Sequence, residues 1–121
     1  MSMKKSMGVM DRLLLLNVCP KEGNIVNMRT VKKMLDDIGF SDEEQRDWKI
    51  ITRPNGQVTW DNKVAKDKEV SFSDVAVTIL KSEIKKLDEQ KKISVQLIGV
   101  LLDKFPELLP EEKPNEESKN E

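Results

Sequence analysis

Residues 49–60 constrain the fold more than any other stretch of this chain. Lys49-Ile50-Ile51-Thr52-Arg53 and Gln57-Val58-Thr59-Trp60 are alternating and β-branched, with Pro54-Asn55-Gly56 between them. Asn-Gly supplies the positive φ angles of a tight turn, so the pattern predicts an antiparallel hairpin. The segments on either side read as helices. The expected fold is therefore α+β and mostly helical, with that small hairpin as its sheet. If Glu69-Val70-Ser71-Phe72 adds a strand, the sheet becomes three-stranded.

About five helices are expected from apolar spacing and capping signals. The first covers residues 7–19. Met10, Leu13, Leu14 and Asn17 define its stripe, Leu15 and Leu16 widen it, and Pro20 ends it. The second runs from Ile25 to Ile38, with Met28, Val31, Leu35 and Ile38 on its core face and Gly39 as its stop. Lys32 and Asp36, and Lys33 and Asp37, stand four residues apart on the polar side. Ser41 and Glu44 form a capping box for a short third helix over Asp42–Trp48. Ser73 caps a fourth helix over Asp74–Gln90, with Ala76, Ile79, Leu80, Ile84 and Leu87 as its apolar face. Ser94 caps a fifth that runs to Phe105. Leu97, Ile98, Leu101, Leu102 and Phe105 make that last helix apolar enough to be central or to lie at a subunit interface, and Gly99 allows a neighbour close approach. The leucine-rich first helix and the fifth together exceed what one small core needs, which predicts a homodimer or larger homo-oligomer.

The tail begins at Pro106. Three prolines, and six acids against two lysines, give residues 106–121 a charge of −4 and the composition of a largely disordered segment. The net charge of the whole chain is −1, so residues 1–105 carry +3 as a single domain.

Several chemistries are excluded by residue type. There is no histidine and no tyrosine, which removes His-based nucleophile systems and the usual zinc and iron sites. The single cysteine, Cys19, sits in an apolar run and reads as a core residue of a protein in a reducing cytoplasm. The five glycines are isolated, so no phosphate-binding loop exists. Two acidic clusters, Asp36-Asp37 and Asp42-Glu43-Glu44, would have to converge to hold Mg²⁺, and each already suits ordinary helix electrostatics. No catalytic residue, cofactor or metal ligand is assigned, and the chain is read as non-enzymatic. No apolar run approaches the roughly 20 residues of a membrane span, and Asp11 and Arg12 interrupt any signal-peptide core. A soluble cytoplasmic protein is expected.

Two kinds of surface remain. Arg29, Lys32 and Lys33 lie near one face of the second helix, and Lys49 and Arg53 flank the hairpin turn; these are the candidate nucleic-acid contacts. The order helix, helix, helix, hairpin over residues 7–60 resembles a winged-helix DNA-binding domain. Its would-be recognition helix is acidic through Asp42-Glu43-Glu44, which repels phosphate. Trp48 and Trp60 flank the hairpin as sheet anchors or partner contacts, and Leu108 and Leu109 form a proline-bracketed pair suited to docking or strapping.

The chain also resembles a group of small uncharacterised proteins encoded by bacteriophages and prophages. The resemblance spans about residues 13–105 and rests on Leu13–Leu16, Pro20-Lys21-Glu22-Gly23-Asn24, Val31-Lys32-Lys33-Met34-Leu35, Ser41–Glu44, Gly56-Gln57-Val58-Thr59-Trp60 and Asp103-Lys104-Phe105. It implies a setting in a bacterial cytoplasm and brings no activity or functional residues. The expected function is a non-enzymatic interaction or accessory module that binds a host or phage protein. A winged-helix-like DNA-binding regulator is the alternative.

Overall fold

The computed structural model describes residues 3–110. Of the segment 106–121 expected to be largely disordered, residues 111–121 lie outside the described residues. Strand β1, Met3–Met7, pairs antiparallel with β4, Lys68–Phe72. Met3 stands opposite Phe72, Lys5 opposite Val70 and Met7 opposite Lys68. The two-residue period turns Met3, Met7, Val70 and Phe72 into the core and leaves Lys4, Ser6, Glu69 and Ser71 exposed. Sequence reading placed no strand at 3–7. The strand expected at 69–72 is present, but it pairs with β1 rather than adding a third strand to the hairpin, so the structure holds two separate two-stranded sheets.

Helix α1 runs over Val9–Val18 from Gly8, whose N–H donates to Asp11 Oδ2 at 2.9 Å. Its buried face is Val9, Arg12, Leu15 and Val18, not the expected stripe. Met10 and Asn17 are exposed, and Leu13 and Leu14 are half-buried. The strand feeding directly into Gly8 sets the helix's phase, and Arg12 finds enough partners to be buried. Helix α2, Ile25–Ile38, is capped by Asn24 Oδ1, which accepts from Asn27 N at 2.8 Å, and buries Val31, Met34 and Ile38. Gly39 has an ordinary negative φ. It is glycine because a Cβ there would stand 2.8 Å from the Leu35 carbonyl oxygen.

The capping box forms as expected: Ser41 Oγ accepts from Glu44 N and Glu44 Oε1 accepts from Ser41 N. The helix it starts, α3, is only Asp42–Asp47 and buries none of its residues. Among the described residues there are thus four helices of ten residues or more, and α3 adds about one and a half turns rather than a fifth packed helix. Lys49, at φ 55°, stops it in a Schellman arrangement, with Ile50 N donating to Gln45 O and Lys49 N to Arg46 O.

The hairpin is real but short: β2, Ile51–Thr52, pairs with β3, Val58–Thr59. Gly56 takes a φ of 88°, and Asn55 Oδ1 accepts from Gln57 N. None of its strand residues is buried, so it protrudes rather than forming the floor of the domain. The order of helices and hairpin matches the sequence reading. With α3 outside the core, that order alone does not make a winged helix.

Helix α4, Asp74–Glu89, is capped by Ser73 and buries Ala76, Ile79, Leu80 and Ile84, as expected. It ends at Lys91, φ 59°, in a second Schellman arrangement with Lys92 N donating to Leu87 O. Helix α5, Val95–Lys104, is capped by Ser94 and buries only Leu97 and Leu101. It is therefore not central. A single 3-10 turn, Pro106–Leu108, follows it. Leu108 is 1% exposed in the core, so the packed chain continues past residue 105. Phe72 and Phe105 meet edge to face at 6.1 Å near the middle of that core.

Candidate functional site

The four most exposed large apolar side chains are Ile25 and Val26 at the start of α2 and Val95 and Leu102 on α5, and only the α5 pair borders an apolar cavity. Val95 is 86% exposed and Leu102 63%. At positions i and i+7 they share one stripe of the helix, with half-buried Ile98 and exposed Gly99 between them. A Cβ built on Gly99 meets nothing within 4 Å, so the middle of the stripe is open. Beside the stripe is a cavity of about 740 Å³, walled by Ile84 of α4, by Ile93, Ile98 and Leu102, and by Leu109 after the 3-10 turn. Asp88 is the one charged residue on that wall.

Four contacts tie the end of this helix and the turn after it to the rest of the domain. Lys104 forms an ion pair with Asp11 at 2.7 Å, and its ammonium also donates to the Ser6 carbonyl. Asp11 accordingly holds the Lys104 pKa above its usual value. Lys5 pairs with Glu107 at 2.7 Å and lies 5.7 Å from the centre of the Phe105 ring. Leu108 is buried between these ties. The α5 face is thus fixed to β1 and α1 from behind, which leaves its front free to meet something else.

Of the expected partner contacts, Leu108 is in the core and Leu109 is half-buried on the cavity wall. Trp48 and Trp60 are both half-buried at the base of the hairpin, where Asp61 N donates to Trp48 O. Trp60 packs toward the start of α1, and its indole N–H donates to Asn62 Oδ1 at 2.6 Å.

The expected nucleic-acid contacts are all exposed and lie on two elements. Arg29, Lys32 and Lys33 project from α2, where Lys32 and Lys33 are paired with Asp36 and Asp37 at 3.0 and 3.2 Å. Lys49 ends α3 just before the hairpin, and Arg53 lies at the hairpin turn. No hydrogen bond or ion pair joins the two groups among the described residues.

The acidic clusters are engaged locally, and only Asp36 and Glu44 of them line a common cavity. Asp36 and Asp37 hold lysines, and Glu44 holds Arg12. A cavity of about 310 Å³ beside Glu44 is flanked by Lys68, whose ammonium donates to the Asp37 carbonyl. Among the described residues no group of three or more Cys, Asp or Glu is placed to hold a metal ion. No helix among them is long and apolar enough to cross a membrane.

Sequence reading missed one polar site. Arg12 is 0% exposed and joins three helices. Its Nε donates to Ile38 O at 2.8 Å and one terminal nitrogen to Gly39 O, so it caps the negative end of α2. Both terminal nitrogens reach Glu44, at 2.9 and 3.1 Å, and the guanidinium stacks 4.0 Å from the centre of the Phe40 ring. The Arg12 hydrogen bond, together with the Ser41 N–H, holds the Glu44 carboxyl below its usual pKa. Each of its three nitrogens is engaged internally, so this is a clamp and not a ligand site. The signal in the sequence was the three-residue step from Val9 through Arg12 to Leu15, which puts the charge on an apolar face.

Cys19 is buried as expected, and burial, with Glu83 nearby, pushes its thiol up to about 11. Comparison with family models, with curated proteins and with solved structures finds no match to this chain.

Proposed function

We propose that the protein is a non-enzymatic interaction module, and that its docking surface is the exposed stripe of α5 with the adjoining cavity. The observation that carries this reading is the pair Val95 and Leu102, two large apolar side chains left in solvent on one face of a helix whose other face is firmly anchored. Isolated exposed apolar residues are ordinary, but a helical stripe bordering an apolar cavity is the geometry by which one helix receives another. The partner is a protein: a second copy of the chain, or a host or phage protein in the cytoplasmic setting that the phage resemblance implies.

Photo-crosslinking tests this. A photoreactive residue at position 102 is expected to give a discrete protein adduct in the cell that makes the protein. The same residue at position 32, exposed on α2, is expected to give none. Adducts no different at the two positions would refute the assignment of the surface.

A further inference from the structure

The stripe on α5 is self-complementary in charge. Lys91 and Lys92 are exposed three and two residues before its capping residue Ser94, and Asp103 is exposed at its other end. Neither lysine nor Asp103 is in an ion pair among the described residues, whereas neighbouring Lys104 and Glu107 are each tied to another part of the chain. The backbone adds to the same polarity, positive at the start of α5 and negative at its end. The helix is thus a short apolar bar with a positive head and a negative tail.

Resting on the docking reading above, we propose that the partner is a second copy of this chain, with the two α5 helices packed antiparallel about a two-fold axis near Gly99. That alignment sets Val95 of one copy against Leu102 of the other. It brings Lys91 and Lys92 beside the opposite Asp103, twice over. Gly99, with nothing above its Cα, lets the two backbones approach closely at the axis. A parallel alignment would set lysines against lysines, so charge selects the antiparallel one. The stretch 111–121 carries no aliphatic or aromatic residue other than Pro114 and does not match the stripe chemically.

The test is sedimentation equilibrium on the full chain. The expected species is a dimer of twice 13.9 kDa. Leu102→Glu is expected to weaken dimerisation by at least about tenfold. Its circular dichroism should be unchanged, because Leu102 lies outside the core. Asp103→Lys alone, and Lys91→Glu with Lys92→Glu, should each weaken self-association. Mixing the two charge variants should restore a heterodimer, because both contacts then join opposite charges.

A monomer at every concentration overturns the proposal. So does a dimer indifferent to Leu102→Glu. A dimer lost in Leu102→Glu but blind to the charge exchange overturns the antiparallel pairing. A monomer that still crosslinks a different protein from position 102 overturns the second copy and leaves the docking reading standing. A monomer that crosslinks nothing brings down both.

Discussion

Arg12→Met is the substitution that most directly tests how this fold is held together. Methionine fills nearly the same length of buried space but carries no donors. The Ile38 and Gly39 carbonyls, which accept from Arg12 at the end of α2, would lose their partners. An orphaned buried acceptor costs about 1–3 kcal/mol, and Gly39 is half-exposed and regains some hydration. The expected loss is about 3 kcal/mol, which lowers the melting temperature by roughly 12–24 °C for a domain of this size.

Glu44→Gln is gentler, because the shape is kept and Glu44 is not fully buried. Exchanging a charge-assisted bond for a neutral one is expected to cost about 1–2 kcal/mol. The sign of its pH dependence is fixed. Glu44 has its pKa lowered in the fold, chiefly by the Arg12 hydrogen bond. Its contribution is therefore complete above the ordinary value of 4.5 and is lost as pH falls through the lowered value. Urea denaturation should show the full Glu44→Gln penalty near pH 7 and a shrinking one at about pH 3. An Arg12→Met loss below about 1 kcal/mol, or a Glu44→Gln penalty equal at both pH values, would refute the clamp.

The remaining expectations concern the helix ends and the core. Lys49 and Lys91 hold positive φ angles of 55° and 59°, so Lys49→Gly and Lys91→Gly should each raise stability by about 0.5–1 kcal/mol in thermal denaturation. A loss on either would argue against the Schellman geometry. Leu108→Ala should destabilise by about 2–5 kcal/mol because Leu108 is fully buried; a loss within 0.5 kcal/mol, roughly the surface value, would place it outside the core. Cys19, with its thiol pushed up to about 11, should resist alkylation at about pH 8 until the chain unfolds. Rapid stoichiometric labelling of the native protein would contradict its burial.

Local signals were legible wherever one segment carried its own instructions. The 3-4-3 spacing of Met28, Val31, Leu35 and Ile38 predicts α2, and the structure places it over Ile25–Ile38 as read, with Met34 buried and Met28 and Leu35 half-buried. Ser41, Ser73 and Ser94 each cap the helix expected of them. What escaped depends on partners far along the chain. Met3–Met7 has two lysines and no β-branched residue, and only pairing with Lys68–Phe72 makes it a strand. Arg12 looked like a break in a leucine run because its acceptors come from Ile38, Gly39 and Glu44. Leu108 sat in a proline-bracketed acidic segment without helical period, and it is packing of its turn on α4 and α5 that places it in the core. The α5 stripe was legible as excess apolar surface, but composition did not tell which residues stay outside. Leu97 and Leu101 point in, and Val95 and Leu102 point out.

The pairing of β1 with β4 has a consequence for the order of events during synthesis. Met3 and Met7 leave the ribosome long before Lys68–Phe72, the strand that gives them a hydrogen-bonded place. Helices α1 and α2 can form early from local signals, and Arg12 can join them as soon as Glu44 emerges. The sheet that covers the core cannot close until the chain has grown past Phe72. Such non-local closure is slow relative to helix formation. Until then two methionines and the inner faces of two helices stay uncovered, which makes the nascent chain most vulnerable to aggregation and proteolysis over that interval.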